Sequence, residues 1–305
     1  GGKGTGDVGK GVSGAGSKID GELIRKYVRD IEIQTNRKIQ KNQMEELKSA
    51  LRNTEYKKMT SSETKRYRRE FNKIKNSLID EWEKQTGQKW PTYTEDVISE
   101  KTGKILRKKE NLMMLIIKLK TLIVGNMNGG ISILLNFLMS IKVVFMVQVQ
   151  QEINFLMEVN NMKYDYLVSN KHNSFYPVAL EEIEEVEEVL GLKFPKELKD
   201  FFLNVGYGFI KGSKYNINRI MAPYSIRDFQ LKQNDYEFFP DIEVYDDLEE
   251  EIIFFEGNET VLISIKLTKE ENSGIYYDEF KIADSLEDFL AKISENDSYY
   301  MDLID

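Results

Sequence analysis

At 305 residues, with 41% of them apolar, the chain has length for about two domains and enough apolar side chains for real cores. It has no cysteine, which excludes disulfides, thiolate zinc sites and cysteine nucleophiles, and it has one histidine, His172. The net charge of −8 hides a split: 26 Lys and Arg against 17 Asp and Glu in residues 1–110, 3 against 2 in 111–161, and 14 against 32 in 162–305. Two parts of opposite sign point to different partners, or to each other.

Residues 1–18 form a Gly-rich linker with too few apolar side chains to offset ordering. Its GKGTGDVGKG run lacks the Ser/Thr and the preceding strand that a phosphate loop requires. Nothing here reads as a signal peptide, and the start resembles the interior of a longer polypeptide. The absence of cysteine fits a reducing compartment or a secreted protein that does without bridges, and a cytoplasmic setting is expected.

Residues 19–109 read as helical. Ile24, Tyr27, Val28 and Ile31 fall at helical spacing, and Ile39, Met44, Leu47 and Leu51 continue it. Thr60 and Glu63 form a capping box that opens a helix to about Lys84. Its expected apolar face is Tyr67, Phe71, Ile74, Leu78 and Trp82. Its expected basic face is Lys65, Arg66, Arg68, Arg69, Lys73 and Lys75, which suits weak nucleic-acid contact or a plain solvated surface. Thr86-Gly87 ends the helix, and Lys89 to Tyr93 begins an extended segment.

Residues 110–161 differ from both neighbours. Leu112 to Ile117, Leu122 to Val124 and Ile131 to Val149 are apolar runs with few charges. Ile131 to Val149 approaches the length of a membrane span, but Asn136, Ser140, Lys142 and Gln148 interrupt it, and functional membrane insertion is not expected. This segment is expected to be poorly ordered, or helical through apolar composition alone.

Residues 162–305 read as an α+β domain. Val178 to Leu190 is a helix with Leu180, Ile183, Val186 and Val189/Leu190 on one face and an outward comb of Glu181, Glu182, Glu184, Glu185, Glu187 and Glu188. Gly191 suits the position past its end, and Pro195 the first residue of a second helix carrying Leu198, Phe201 and Phe202, closed by Gly206. Ile217–Met221, Ile252–Phe255, Val261–Ile265 and Ile275–Ile282 are β-rich runs, with turns at Gly257-Asn258 and Asn272 to Gly274. Asp284 to Glu287 forms a second capping box, opening a last helix through Leu290 and Ile293.

The run from Ile183 to Gly208, with Gly191, Leu192, Pro195, Leu198, Phe201 and Gly206 in order, resembles the opening of the SUKH (Smi/Knr-like) superfamily. Ser285 to Leu290 resembles that family's closing helix. The resemblance implies an immunity protein: a non-catalytic partner, without cofactor or metal, that binds and neutralises a polymorphic toxin, often a nuclease. The acidic surface suits the basic groove of such a partner. Candidate contacts are Glu181, Glu184, Glu185, Glu188, Asp246 and Asp247.

The front part, through Arg37 to Trp90, then Trp90 to Tyr93 and Thr102 to Leu106, resembles the C-terminal region of LXG-type toxins. In that family an HNH nuclease motif follows, and its chemistry needs histidines as base and metal ligands. His172 lies outside the front part, so that site cannot be built here. A live nuclease would need some other site in residues 81–110, where no specific spacing is present. The codons permitted by Leu112 to Ile117, Met127 to Leu134 and Val159 to Asn161 can, in one shifted frame, encode the missing motif pieces and then stop codons. The expectation is therefore a frameshift near Lys109-Glu110 that fused an inactivated toxin remnant to an immunity protein beginning at Met162.

Overall fold

The computed structural model describes residues 60–112 and 162–304 apart from 238 and 240, with a few isolated positions before residue 60. Most of residues 1–59, and all of 113–161, lie outside the described residues. Most of the expected linker, the first helices and nearly all of the apolar middle segment therefore fall there. The described residues divide into two compact units, one ending at Pro91 and the other combining Thr92–Leu112 with the chain after Met162.

In the first unit, a short antiparallel pair joins β1 (Ser17–Lys18) to β2 (Glu55–Tyr56). Helix α1 spans Ser61–Thr86. Both halves of its capping box form: the Glu63 amide donates to Thr60 Oγ1 at 3.2 Å, and the Thr60 amide to Glu63 Oε1 at 3.4 Å. Gly87 closes the helix at φ 66°. The face exposed to solvent differs from the expected one. Lys65, Arg68, Asn72, Lys75, Ile79 and Trp82 are all buried and follow one three-four spaced stripe, with Arg69 and Phe71 beside it. Tyr67, Ile74 and Leu78 are half-buried, and only Arg66 and Lys73 of the six basic residues are exposed. Lys73 pairs with Glu70 at 3.2 Å. The basic side chains are part of the packed stripe, because long Lys and Arg stems cover apolar surface as well as carrying charge.

The second unit opens with a hairpin, β3 (Val97–Ile98) against β4 (Ile105–Arg107). The expectation of an all-helical front part ends here. β-branched residues at 97–98 and a tight loop at Ser99–Lys104, with Gly103 at φ 72°, favour strand pairing over a further helix.

The remainder is an antiparallel sheet of seven strands in the order β11-β10-β9-β8-β7-β6-β5. The strands are β5 (Ser174–Tyr176), β6 (Tyr207–Phe209), β7 (Arg219–Ile220), β8 (Glu251–Asn258), β9 (Val261–Lys266), β10 (Ile275–Tyr277) and β11 (Phe280–Ala283). A short helix, α2 (Asp165–Val168), and strand β5 lie in the stretch that read as irregular. Helices α3 (Leu180–Leu190), α4 (Lys196–Asn204), α5 (Pro223–Leu231) and α6 (Leu286–Glu295) complete the domain. Helix α5 was not expected; Pro223 at its first position supplies the start signal. Helix α3 packs on α5, α5 on β8, α4 on α6, and α6 on β11.

The core is aromatic and β-branched. Phe255 meets Phe289 of α6 edge-on with ring centroids 4.9 Å apart, and Phe201 of α4 meets Tyr164 at 5.0 Å. Strand β8 is buried along nearly its whole length, as a strand covered on both faces must be. The β8–β9 turn falls at Glu259-Thr260, two residues after the expected Gly257-Asn258, because Asn258 still pairs with Val261. The run Ile275–Ile282 is two strands, broken at Asp278 with φ 51°. The last helix is capped by Ser285, whose Oγ accepts the Asp288 amide at 3.0 Å, one residue later than the Asp284 start expected.

Candidate partner-binding surface

Helix α3 does not present the full comb of glutamates. Glu181, Glu184, Glu185 and Glu188 are exposed, whereas Glu182 and Glu187 are buried beside Ile183 and Val186. Positions 182, 183, 186 and 187 share one side of a 3.6-residue helix, so six glutamates in eight residues cannot all face water. Leu180, expected inside, is exposed, and of the alternatives Val189 and Leu190 it is Leu190 that packs against the core while Val189 is exposed. Glu187 accepts the Phe194 amide at 2.8 Å and so fixes the turn into α4.

Of the candidate contacts, Glu185 accepts the Tyr224 hydroxyl at 2.6 Å and lies 3.9 Å from Arg227. That bond, with partial burial, pushes the Tyr224 phenol up to about 12. Asp246 and Asp247 are exposed, and Asp246 pairs with Lys232 at 2.7 Å. Both groups thus border α5, the helix that sequence reading missed.

The signature residues are structural. Gly191 closes α3 at φ 65°. Pro195 is the cap of α4, one position before the helix proper, and its carbonyl accepts the Lys199 amide at 3.0 Å. Leu198 and Phe201 are fully buried, and Leu192 packs partly buried against the core. Gly206 has φ 115°, and a Cβ there would lie 1.9 Å from the Tyr176 carbonyl oxygen of β5, so only glycine fits.

The most developed polar site lies where the Thr92–Leu112 segment meets the sheet. At its centre is Glu256 of β8, fully buried. Arg219 of the neighbouring β7, also fully buried, donates to Glu256 through Nε at 3.1 Å and through its terminal nitrogen. Arg107 of β4 donates to the other carboxylate oxygen at 3.0 Å. The Tyr236 hydroxyl joins the same carboxylate at 3.1 Å and accepts from Arg219. Burial alone would push the Glu256 carboxyl up, but Arg107 and Arg219 hold it down at about 2. Burial pushes the Tyr236 phenol well above its usual range.

Around this centre the hairpin is tied down at several points. The Ile105 amide donates to the Tyr207 hydroxyl at 3.0 Å, and the Ile105 carbonyl accepts from Arg219 at 3.3 Å. Lys104 pairs with buried Glu182 of α3, its Nζ 5.2 Å from the Tyr207 ring centre and 5.7 Å from that of Tyr224. Ser99 Oγ donates to Asp235 at 2.6 Å. Lys108 bridges Asp96 at 2.8 Å and the Tyr176 hydroxyl at 2.9 Å. The base of the hairpin closes through the Tyr93 amide on the Asn111 carbonyl at 2.9 Å. Sequence reading missed this group. Its signal was a charge inside each of two apolar β runs, Arg219 within Ile217–Met221 and Glu256 directly after Ile252–Phe255. Buried charges of opposite sign on neighbouring strands pair.

An antiparallel sheet flanked by helices, with a glycine-closed α3, proline-capped α4 and a closing α6, makes the back part an α+β domain. The SMI1 / KNR4 family (SUKH-1) matches residues 177–292, and the chain belongs to this family. The chain is 58% identical over 145 residues to immunity protein YxxD of Bacillus subtilis (strain 168), which is 47% of this chain and 99% of that protein. It is also 57% identical over 107 residues to toxin YxiD of the same organism, which is 35% of this chain and 19% of that protein. The chain thus spans nearly all of the first relative but about a fifth of the second. No solved structure matches it significantly. Among the described residues no helix is long and apolar enough to cross a membrane.

Proposed function

We infer that the back part of the chain, from Met162, is an immunity protein that binds and neutralises a cognate nuclease toxin without catalysing a reaction. The observation that carries this reading is the match to an immunity protein over 99% of that protein's length. The fold supports it: the glycine, proline and core positions of the signature all perform their structural roles, so the domain is intact where a degraded copy would not be. The net charge of the back part supports a basic partner, which opposite charge steers into fast association.

The front part, on the same reading, is the remnant of a toxin C-terminal region. The similarity to 19% of a toxin supports it. The frameshift near Lys109-Glu110 and the out-of-frame origin of residues 110–161 belong to this proposal, and the encoding DNA decides them: without the nuclease motif in the shifted frame, the fusion account fails. For the immunity role the test is capture. Residues 162–305, a span close to that of the separate immunity relative, are expected to retain an intact toxin related to the front part and to restore growth of cells expressing it. Neither retention nor rescue would sink the reading.

A further inference from the structure

The hairpin that fills the polar site belongs to the part of the chain that resembles a toxin, and the site belongs to the part that resembles its antidote. We propose that the face formed by Glu182, Tyr207, Arg219, Asp235, Tyr236 and Glu256 is the docking surface for the toxin, that the toxin enters it with a hairpin equivalent to residues 92–112 that presents Lys104 and Arg107, and that the fused hairpin occupies this surface in cis. The proposal rests on the immunity reading and adds the surface, the occupant and a block on it.

Three observations carry it. The first is chemical match. The face offers two carboxylates, Glu182 and Glu256, and the hairpin brings Lys104 to one and Arg107 to the other. The second is specificity of fit. Beyond charge, the face supplies the Tyr207 hydroxyl to a backbone amide, Arg219 to a backbone carbonyl and Asp235 to a loop hydroxyl. Backbone bonds of this kind read a strand-shaped ligand, and charged residues at a site's edge only steer. The third is what the domain holds by itself. Arg219 and the Tyr236 hydroxyl already hold one Glu256 oxygen from within the domain, while the other Glu256 oxygen and a terminal nitrogen of Arg219 take their partners, Arg107 and the Ile105 carbonyl, from the hairpin, so the face is partly preformed and leaves one acceptor and one donor for a docked strand. The docked segment contains Thr102-Gly103-Lys104-Ile105-Leu106, one of the runs on which the front part resembles a toxin.

Covalent connection has a consequence. A tethered segment meets its site at an effective concentration of up to about millimolar, far above that of a free partner. The full chain should therefore bind a free hairpin poorly until its own is displaced.

The test uses the full 305-residue chain and a labelled synthetic peptide of residues 92–112. Lys104→Glu with Arg107→Glu reverses the two charges that face Glu182 and Glu256 and should eject the fused hairpin. That opened chain is expected to bind the peptide at least about tenfold more tightly than the unaltered chain. Adding Asp235→Lys, an exposed position where folding is not at risk, should weaken peptide binding by about fivefold or more. Equal binding by the unaltered and opened chains, or indifference to Asp235→Lys, overturns the proposal. A second arm uses full-length toxin YxiD as the probe. Capture by the opened chain, lost with Asp235→Lys, supports the toxin as occupant. Equal capture by all three chains overturns this surface and leaves the immunity reading standing. Peptide binding without toxin capture overturns the toxin as occupant.

Discussion

Replacing Glu256 by Gln tests the electrostatic centre of the back domain. The carboxylate is fully buried between two guanidinium groups, and its pKa falls from 4.5 to about 2. A group depressed on folding contributes stability above its unfolded value, and that stability drains away as pH falls through the folded one. The shift corresponds to about 3 kcal/mol at neutral pH, lost as pH falls from about 4.5 to about 2. Glu256→Gln removes the charge while keeping the shape, and leaves Arg219 buried without its counter-charge. Breaking a buried pair in this way costs about 3–5 kcal/mol. The chain has two compact units, so no single unfolding transition need report on this site. Hydrogen exchange read by mass spectrometry on peptides covering β8 and β9 does report on it. Protection there should fall about a hundredfold or more in the variant at pH 7, since each tenfold is about 1.4 kcal/mol. Between pH 5 and pH 2.5 the unaltered chain should lose about 2 kcal/mol that the variant has already lost. If the two chains show the same pH dependence, or if the substitution costs less than about 0.5 kcal/mol, the reasoning about this cluster is wrong.

Gly206→Ala should destabilise the domain by more than about 2 kcal/mol, because the backbone sits at φ 115° and the new methyl meets the Tyr176 carbonyl. Loss of protection in β5 and β6 checks it, and an unaltered exchange pattern would refute it. Ser285→Ala removes the oxygen that accepts the Asp288 amide and should cost about 1 kcal/mol, read as faster exchange in the first turn of α6 with little change in β5.

Much of the back domain was legible from local pattern. The glycine after α3, the β-rich runs of β8 and β9 and, to within one residue, the cap of α6 each depend on a few neighbouring residues, as does the capping box at Thr60 in the front part, and such devices read directly from sequence. Errors arose where the deciding neighbour is distant. Helix α5 lies in a stretch without strong periodicity, and its burial against α3 and β8 stabilises it. Which glutamates of α3 turn inward depends on Lys104, more than seventy positions earlier in the chain, and on the Phe194 amide. On α1 the same limit applies, since periodicity placed Phe71 and Trp82 inside but not Lys65, Arg68, Arg69 and Lys75, which are buried with them.

Composition and motif by themselves determined the absence of cysteine chemistry, the opposite charges of the two parts, the α+β class of the back domain and the residues that mark its family. Only the tertiary structure decided that residues 92–112 leave the front part and pack into the back one, and that Arg107, Arg219 and Glu256 meet. The physical reason is the range of the forces involved. Caps, turns and periodicity act over three or four residues. A buried charge is settled only when its counter-charge arrives from elsewhere in the chain, here across 149 positions between Arg107 and Glu256.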